Sequence, residues 1–307
     1  MARHDGIIIL GHPRSGTTLL RRLLNGHSQI ACPGETHLLT ACARFLRAEK
    51  TADGVDMGVL AGLTFAGFSE AEVIADLRRF AFSYFAKHAE RQGKRRWAEK
   101  TVFDTFFMPE IEQLCGDQAF FVGIIRHGLD VAVSTNDFCQ AAGMFPEALH
   151  AYVRRFPSPV EAFAHSWADA NQALVDFGER HPENCVICRY EDLVEAPEET
   201  LGAVLDFVGE TFEAEMLTKG LEVTEDLGFS DHKGLQVREI HTKSTGHWQA
   251  IPEPQLRRLA DVVNPLLELC GYDRIAKGPA LTTEQARRRY TMSLMVHAAR
   301  GASTDPE

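Results

Sequence analysis

The sequence predicts an α/β domain in three layers, helices covering both faces of a mostly parallel central sheet. Short apolar runs at 6–10, 119–125 and 184–189 alternate with stretches of helical periodicity. Runs of that length and composition suit strands buried on both faces. Phe163, Trp167, Ala170, Leu174 and Phe177 recur at helical spacing, so residues 160–180 form an amphipathic helix that packs on the sheet. The first apolar run leads through a glycine-bearing loop into another helix, the layout of an anion cradle.

In chain order, residues 6–10 are a buried strand and 17–26 a helix. A short strand at 29–32 precedes Pro33-Gly34-Glu35-Thr36, and a helix resumes over 37–49. Residues 51–68 are glycine-rich and read as loop. Ser69 followed by Glu72 forms a capping box that opens a helix to about residue 90. A basic turn at 92–96 leads to a strand at 97–100, then a helix at 105–115. The strand at 119–125 ends at Arg126, and a helix covers 130–140. Residues 146–159 read as an insertion with a short helix, before the amphipathic helix and the strand at 184–189. Pro197 starts a helix that runs to 208. Residues 220–247 show little periodicity. A helix over 254–270 is closed by Gly271, and a last helix spans 282–300. Ligands of such a sheet sit at the carboxyl ends of its strands.

Composition narrows the function. The chain has 307 residues, a formal net charge of −11 and seven cysteines. That charge argues against broad nucleic-acid binding and requires a local basic pocket for any anionic ligand. An odd, scattered set of cysteines suits reduced thiols and a cytoplasmic location. Cys185 and Cys188 form a C-x-x-C inside a strand-like run with no second pair nearby, which reads as buried thiols. No stretch reaches membrane-spanning length. No acidic pair or His/Cys spacing suggests a metal site.

The loop is Gly11-His12-Pro13-Arg14-Ser15-Gly16-Thr17-Thr18. Its glycine spacing fits a phosphate-binding loop, but Thr17 stands where a nucleotide triphosphatase needs Lys. The cation is Arg14, inside the loop. Glycine-rich turns of this kind also occur without ligands. A second anion site is suggested by Arg126, just past its strand, with Ser134 eight residues on in the next helix. Two separated anion pockets suit a nucleotide phosphorylated at two places.

Together these motifs resemble the sulfotransferases that use 3′-phosphoadenosine 5′-phosphosulfate (PAPS). Residues 13–19 resemble that family's P-loop-like phosphosulfate loop, and 125–134 its 3′-phosphate motif. Arg189-Tyr190-Glu191-Asp192-Leu193 resembles its Tyr-Glu-x-Leu strand end, and Lys243-Ser244-Thr245-Gly246-His247-Trp248 its late cofactor-covering loop. The resemblance covers about residues 6–275 and is nearest in style to tyrosylprotein sulfotransferases and their bacterial relatives. It implies a sulfotransferase domain over 1–277, with helical insertions at about 37–95 and 138–160, then a C-terminal helix and tail over 278–307.

The resemblance also implies roles. Arg14, Ser15, Gly16, Thr17 and Thr18 would hold the 5′-phosphosulfate. Arg126 and Ser134 would hold the 3′-phosphate, and Tyr190 and Lys243 would contact the nucleotide. Phe138 stands where the tyrosylprotein branch has an Arg, with Arg238 and Lys233 as substitutes. Val102 stands where cytosolic members place a histidine base after the Lys matched by Lys100. Glu35-Thr36 matches the tyrosylprotein base, so Glu35 is the expected general base, with Lys100 and Arg14 stabilising charge. His27 and His37 are fallback bases, and Glu99 is expected to pair with a neighbouring cation. The expected reaction is metal-independent transfer to a hydroxyl of a small molecule or peptide, leaving adenosine 3′,5′-bisphosphate (PAP). The alternative is a P-loop small-molecule kinase using ATP. Phe138, Phe145, Tyr152 and Phe156 line either an acceptor pocket or the core. Tyr290, Leu294 and Val296 serve either a homodimer interface or the domain's own packing.

Overall fold

The computed structural model describes residues 5–222 and 238–276. The apolar run GIIIL forms β1 (Gly6–Leu10), buried throughout. Past the glycine loop come α1 (Thr17–Gly26) and β2 (Ile30–Ala31). Helix α2 (Leu38–Leu46), a ribbon of β3 (Glu49–Lys50) with β4 (Asp56–Met57), α3 (Val59–Phe65) and the long α4 (Glu70–Arg91) follow. Strand β5 (Arg96–Glu99) leads through a 3-10 turn at Val102–Phe107 into α5 (Met108–Cys115). Then come β6 (Phe120–Ile125), α6 (Gly128–Ala142), α7 (His150–Arg155) and α8 (Pro159–Arg180). The described chain continues with β7 (Cys185–Arg189), α9 (Tyr190–Glu195), α10 (Pro197–Val208), α11 (Met216–Lys219) and α12 (Glu253–Leu269).

The central sheet has the order β2-β5-β1-β6-β7, and every pairing is parallel. The chain moves to one side of β1 for β5 and to the other for β6. Their carboxyl ends therefore open on a topological switch point, where α/β sheets bind ligands. Alternate β1 side chains enter opposite cores. Ile8 and Leu10 join Trp97, Phe121, Trp167 and Phe177, whereas Ile7 and Ile9 join Leu20, Val122, Leu193 and Leu205. Each large apolar side chain so buried contributes about 1.5–3 kcal/mol relative to exposure. The apolar stripe of α8 is buried as its spacing requires, and Ser69 caps α4 by accepting from the Glu72 amide at 3.3 Å.

Residues 51–68 are not plain loop. Gly54, at φ 80°, turns the β3–β4 ribbon, and α3 follows with no buried residue. An exposed helix carries no apolar stripe, so periodicity cannot reveal it. Helix α9 was likewise not expected. It is one short turn held by burial of Tyr190, Leu193 and Val194. The expected helix at 105–115 divides, with a 3-10 turn to Phe107 and α5 from Met108, Pro109 lying in its first turn. The helix expected at 282–300, with Tyr290, Leu294 and Val296, lies outside the described residues, as do Lys233 and part of 220–247. Among the described residues no helix is long and apolar enough to cross a membrane. All seven cysteines are free thiols, and burial pushes those of Cys185 and Cys188 up to about 12.

Candidate active site

Loop 11–16 must turn sharply between β1 and α1 with little room. A Cβ on Gly11 would stand 2.6 Å from the Ile124 carbonyl oxygen, and the Gly11 amide donates to Thr105 Oγ1 at 2.9 Å. Arg14 and Gly16 adopt φ of 73° and 97°, a region costly for a non-glycine residue and typical of functional turns. A Cβ on Gly16 would lie 2.3 Å from the Tyr190 ring, so Tyr190 seats directly on the loop. Backbone amides of such a turn converge on one concavity, and the first turn of α1 adds its own. His12 braces the loop from behind. Burial pushes its imidazole down to about 4. The neutral ring lies 2.8 Å from the Pro13 carbonyl through Nδ1 and 2.9 Å from Ser166 Oγ through Nε2.

Two cations frame one side. Arg14 Nε donates to Ser134 Oγ at 3.2 Å, and its guanidinium lies 5.6 Å from the Phe138 ring centre. Arg126, nearly buried past the end of β6, donates to the Arg14 carbonyl at 2.9 Å and to the Ser244 carbonyl. Its guanidinium stacks 5.0 Å from the Tyr190 ring centre. Trp167 Nε1 donates to the Arg126 carbonyl at 3.1 Å, fixing this strand end. Arg126, Ser134, Arg14 and Tyr190 are thus gathered from four separate elements. Ser15 Oγ and Arg126 Nε are buried without a hydrogen-bond partner among the described residues, which fits a cradle for an oxyanion.

On the other side, Lys100 follows β5 and is fully buried. Its Nζ donates to Glu35 Oε1 and, at 3.3 Å, to Thr18 Oγ1. Glu35, Lys100 and the loop are therefore in one constellation. Glu99 does not pair with a cation as expected. Lys100 attracts it only through space, and its Oε1 instead accepts from Thr36 Oγ1 at 3.0 Å and Thr101 Oγ1 at 2.7 Å. Burial pushes its carboxyl up to about 7, opposed by those two hydrogen bonds. Asp104, bound by the Thr40 hydroxyl at 2.5 Å, is likewise pushed well above its ordinary value by burial and by the nearby Glu99.

The late loop closes over α6. Asp130 accepts from the Gly246 amide at 2.7 Å and the Trp248 amide at 2.9 Å. The Trp248 ring stacks on His127 with centres 4.9 Å apart, and burial pushes that imidazole down to about 4. Glu191 accepts from the His127 amide at 3.1 Å and from Tyr272 Oη at 2.6 Å. Lys243 is exposed on this loop. Sequence reasoning gave no role to His12, Thr105, Asp130 or Glu191. Asp130 and Glu191 sit inside the quoted motifs, and their acidity beside a predicted anion site was the available signal.

The remaining expected residues divide. His27 is buried, 2.9 Å from the Thr211 carbonyl through Nε2, with Nδ1 accepting from the Gln29 amide. It is a structural residue, not a base beside the loop. His37, at φ 56°, stacks on Phe103 with ring centres 6.0 Å apart. Phe138 and Phe145 are exposed, Tyr152 donates to Asp169, and Phe156 stacks on His165. Arg238 lines a cavity with Leu217, Leu221 and Ile240; at position 138 itself, the ring contact with Arg14 stands in place of a further cation.

The sequence model of the sulfotransferase family matches residues 6–214. A putative protein-tyrosine sulfotransferase of Caenorhabditis briggsae is 28% identical over 287 residues, spanning 89% of this chain and 91% of that protein. The sulfotransferase domain from the Synechococcus PCC 7002 olefin synthase shares the fold with a TM-score of 0.59 at 23% identity, covering 89% of this chain and 97% of that one. Mouse sulfotransferase SULT7A1 complexed with PAP gives 0.52 at 14% identity, over 95% and 90%. The family match takes in the glycine loop, the Arg126 strand end and Tyr190 alike, and the chain belongs to the sulfotransferase family as a PAPS-dependent sulfotransferase.

Proposed function

We propose that this enzyme moves the sulfuryl group of PAPS to an acceptor hydroxyl by in-line displacement, with Glu35 as general base. The observation that carries the reading is the position of Lys100, whose Nζ joins the Glu35 carboxylate to Thr18 of the loop. One ammonium thereby sets the candidate base beside the anion cradle. PAPS supplies the activated sulfuryl group. Arg14, Ser15, Gly16, Thr17 and Thr18 hold its 5′ end through loop and helix amides, and Arg126 with Ser134 holds the 3′-phosphate. Tyr190, packed against the loop, and Lys243, on the covering loop, would contact the nucleotide.

Sulfuryl transfer, like phosphoryl transfer, spreads charge over peripheral oxygens, so positioning and charge stabilisation dominate. Lys100, fully buried, and Arg14 stabilise that charge. Glu35 takes the acceptor's hydroxyl proton, a contribution on the order of 10²–10⁴-fold. These side chains supply the positive charge themselves, so transfer proceeds without added metal. The acceptor is a phenolic or aliphatic hydroxyl, borne by a small molecule or by a peptide tyrosine. The named activity of the Caenorhabditis briggsae relative supports the second. The kinase reading gains no support, since Thr17 occupies the position of its phosphate lysine.

The test incubates the protein with PAPS, EDTA and a panel of phenols, alcohols and tyrosine peptides, following PAP release chromatographically. PAP release that depends on a hydroxyl and falls about 100-fold or more in E35Q is expected. Wild-type turnover by E35Q removes the base assignment, and PAP release that requires a metal removes the metal-free mechanism.

A further inference from the structure

We infer that Glu99 is a positioning residue for Glu35, acting through the hydroxyls of Thr36 and Thr101. This inference rests on Glu35 as the general base. Glu99 closes β5 and is fully buried, one residue before Lys100. A single oxygen, Oε1, receives both hydroxyls, Thr36 at 3.0 Å and Thr101 at 2.7 Å. Each hydroxyl oxygen also accepts a backbone amide. Thr36 Oγ1 takes that of Leu38 at 3.2 Å, and Thr101 Oγ1 takes that of His37 at 3.2 Å. One carboxylate oxygen thus fastens the three residues that follow Glu35.

That segment requires fastening. His37 sits in the left-handed region at φ 56° where it opens α2, a conformation that is unfavourable for a non-glycine residue and persists only where its surroundings impose it. Glu35 and Lys100 meet across a gap between two strand ends, β2 and β5. The Glu99–Thr36 bond ties those same two ends together one residue away on each side. Releasing it lets the 35–37 turn relax and carries the Glu35 carboxylate away from the Thr18 side of the crevice. Misplacement of a reacting group by about 1 Å costs on the order of 100-fold in rate.

Thr36 is exposed, so its variants test the link without disturbing the core. The variants are T36V, T36S, E99A, E99Q and E35Q. Turnover is measured with the fastest hydroxyl acceptor, or with water as acceptor through slow PAPS hydrolysis, and PAP affinity is measured by calorimetry. T36V and E99A are expected to lower kcat about ten-fold or more while the Kd for PAP stays within about two-fold of wild type. T36S and E99Q, which keep the hydroxyl and an acceptor oxygen, are expected to recover most of the rate. T36V in an E35Q background is expected to cost nothing further. The inference is overturned by wild-type kcat in T36V, by an equal loss of PAP affinity, or by an E99Q as slow as E99A. If E35Q is inactive while T36V is unimpaired, only the Glu99 link fails. If E35Q itself is unimpaired, the base assignment fails first.

Discussion

Lys100 and Glu35 form an ion pair in which the lysine side chain is fully buried and the carboxylate is 8% exposed. Each charge depends on the other, because an uncompensated buried charge is far more destabilising than the pair is stabilising. K100M leaves the Glu35 carboxylate without its cation and is expected to lose about 3 kcal/mol of stability in urea denaturation. E35Q/K100M removes both charges and is expected to regain most of that loss. Additive losses in the double variant would mean that the two groups do not interact in solution.

Arg126 makes a different prediction because its partners are backbone carbonyls, on Arg14 and Ser244, rather than an acid. Its charge is therefore available to an anion while its position is already fixed. R126A is expected to raise the Kd for PAP about 10–100-fold, as loss of a charge-assisted contact does. It should also flatten the dependence of Kd on salt. The effect should be much smaller for adenosine 5′-phosphate, which lacks the 3′ group. An unchanged Kd for PAP would remove the 3′-phosphate assignment.

The sheet was legible because its strands are buried on both faces. Ile7 to Leu10 and Phe121 to Ile125 read as apolar runs for the same reason that they occupy the centre. Arg126 and Ser134 were legible through motif spacing, Glu35 and Lys100 only through the resemblance to the family, and the parallel topology brings their elements to one crevice. The Asp130 and Glu99 contacts were not legible. Asp130–Gly246 and Glu99–Thr36 are each a long-range hydrogen bond to another segment, and nothing in local periodicity encodes such a partner. Helix α3 escaped for the opposite reason, since it buries nothing.

Glu99 gives a pH dependence of stability. Its folded carboxyl titrates near 7, above its ordinary value of 4.5, because burial disfavours the charge. The groups facing it are Lys100, Glu35 and Asp104, with the Thr36 and Thr101 hydroxyls. Between those two values the folded chain retains a proton that the unfolded chain releases. Stability is therefore lost as pH rises towards 7, by about 2 kcal/mol from this group. E99Q removes the titration. Its stability relative to wild type is expected to improve by about 2 kcal/mol between pH 5 and pH 8 in urea denaturation. A difference that stays constant across that range would show that Glu99 is ionised throughout.

Asp130 yields the sharpest test of the covering loop. Its two oxygens each accept one amide, from Gly246 and from Trp248, while Arg126 holds the Ser244 carbonyl between them and Lys243. The loop is thus held to the segment from Arg126 to α6 by one guanidinium, one carboxylate and the His127–Trp248 stack. D130A removes both amide acceptors and is expected to raise the Kd for PAP about ten-fold. Asparagine keeps one oxygen but presents an NH₂ to the second amide, a donor facing a donor. D130N should therefore fall between wild type and D130A rather than match either. Cleavage by trypsin after Lys243 provides a second readout, because proteolysis reports local opening. It is expected to accelerate in the same order, and to slow in wild type but not in D130A when PAP is added. Equal cleavage rates in all three proteins would show that the loop is held by the His127–Trp248 stack and Arg126 alone.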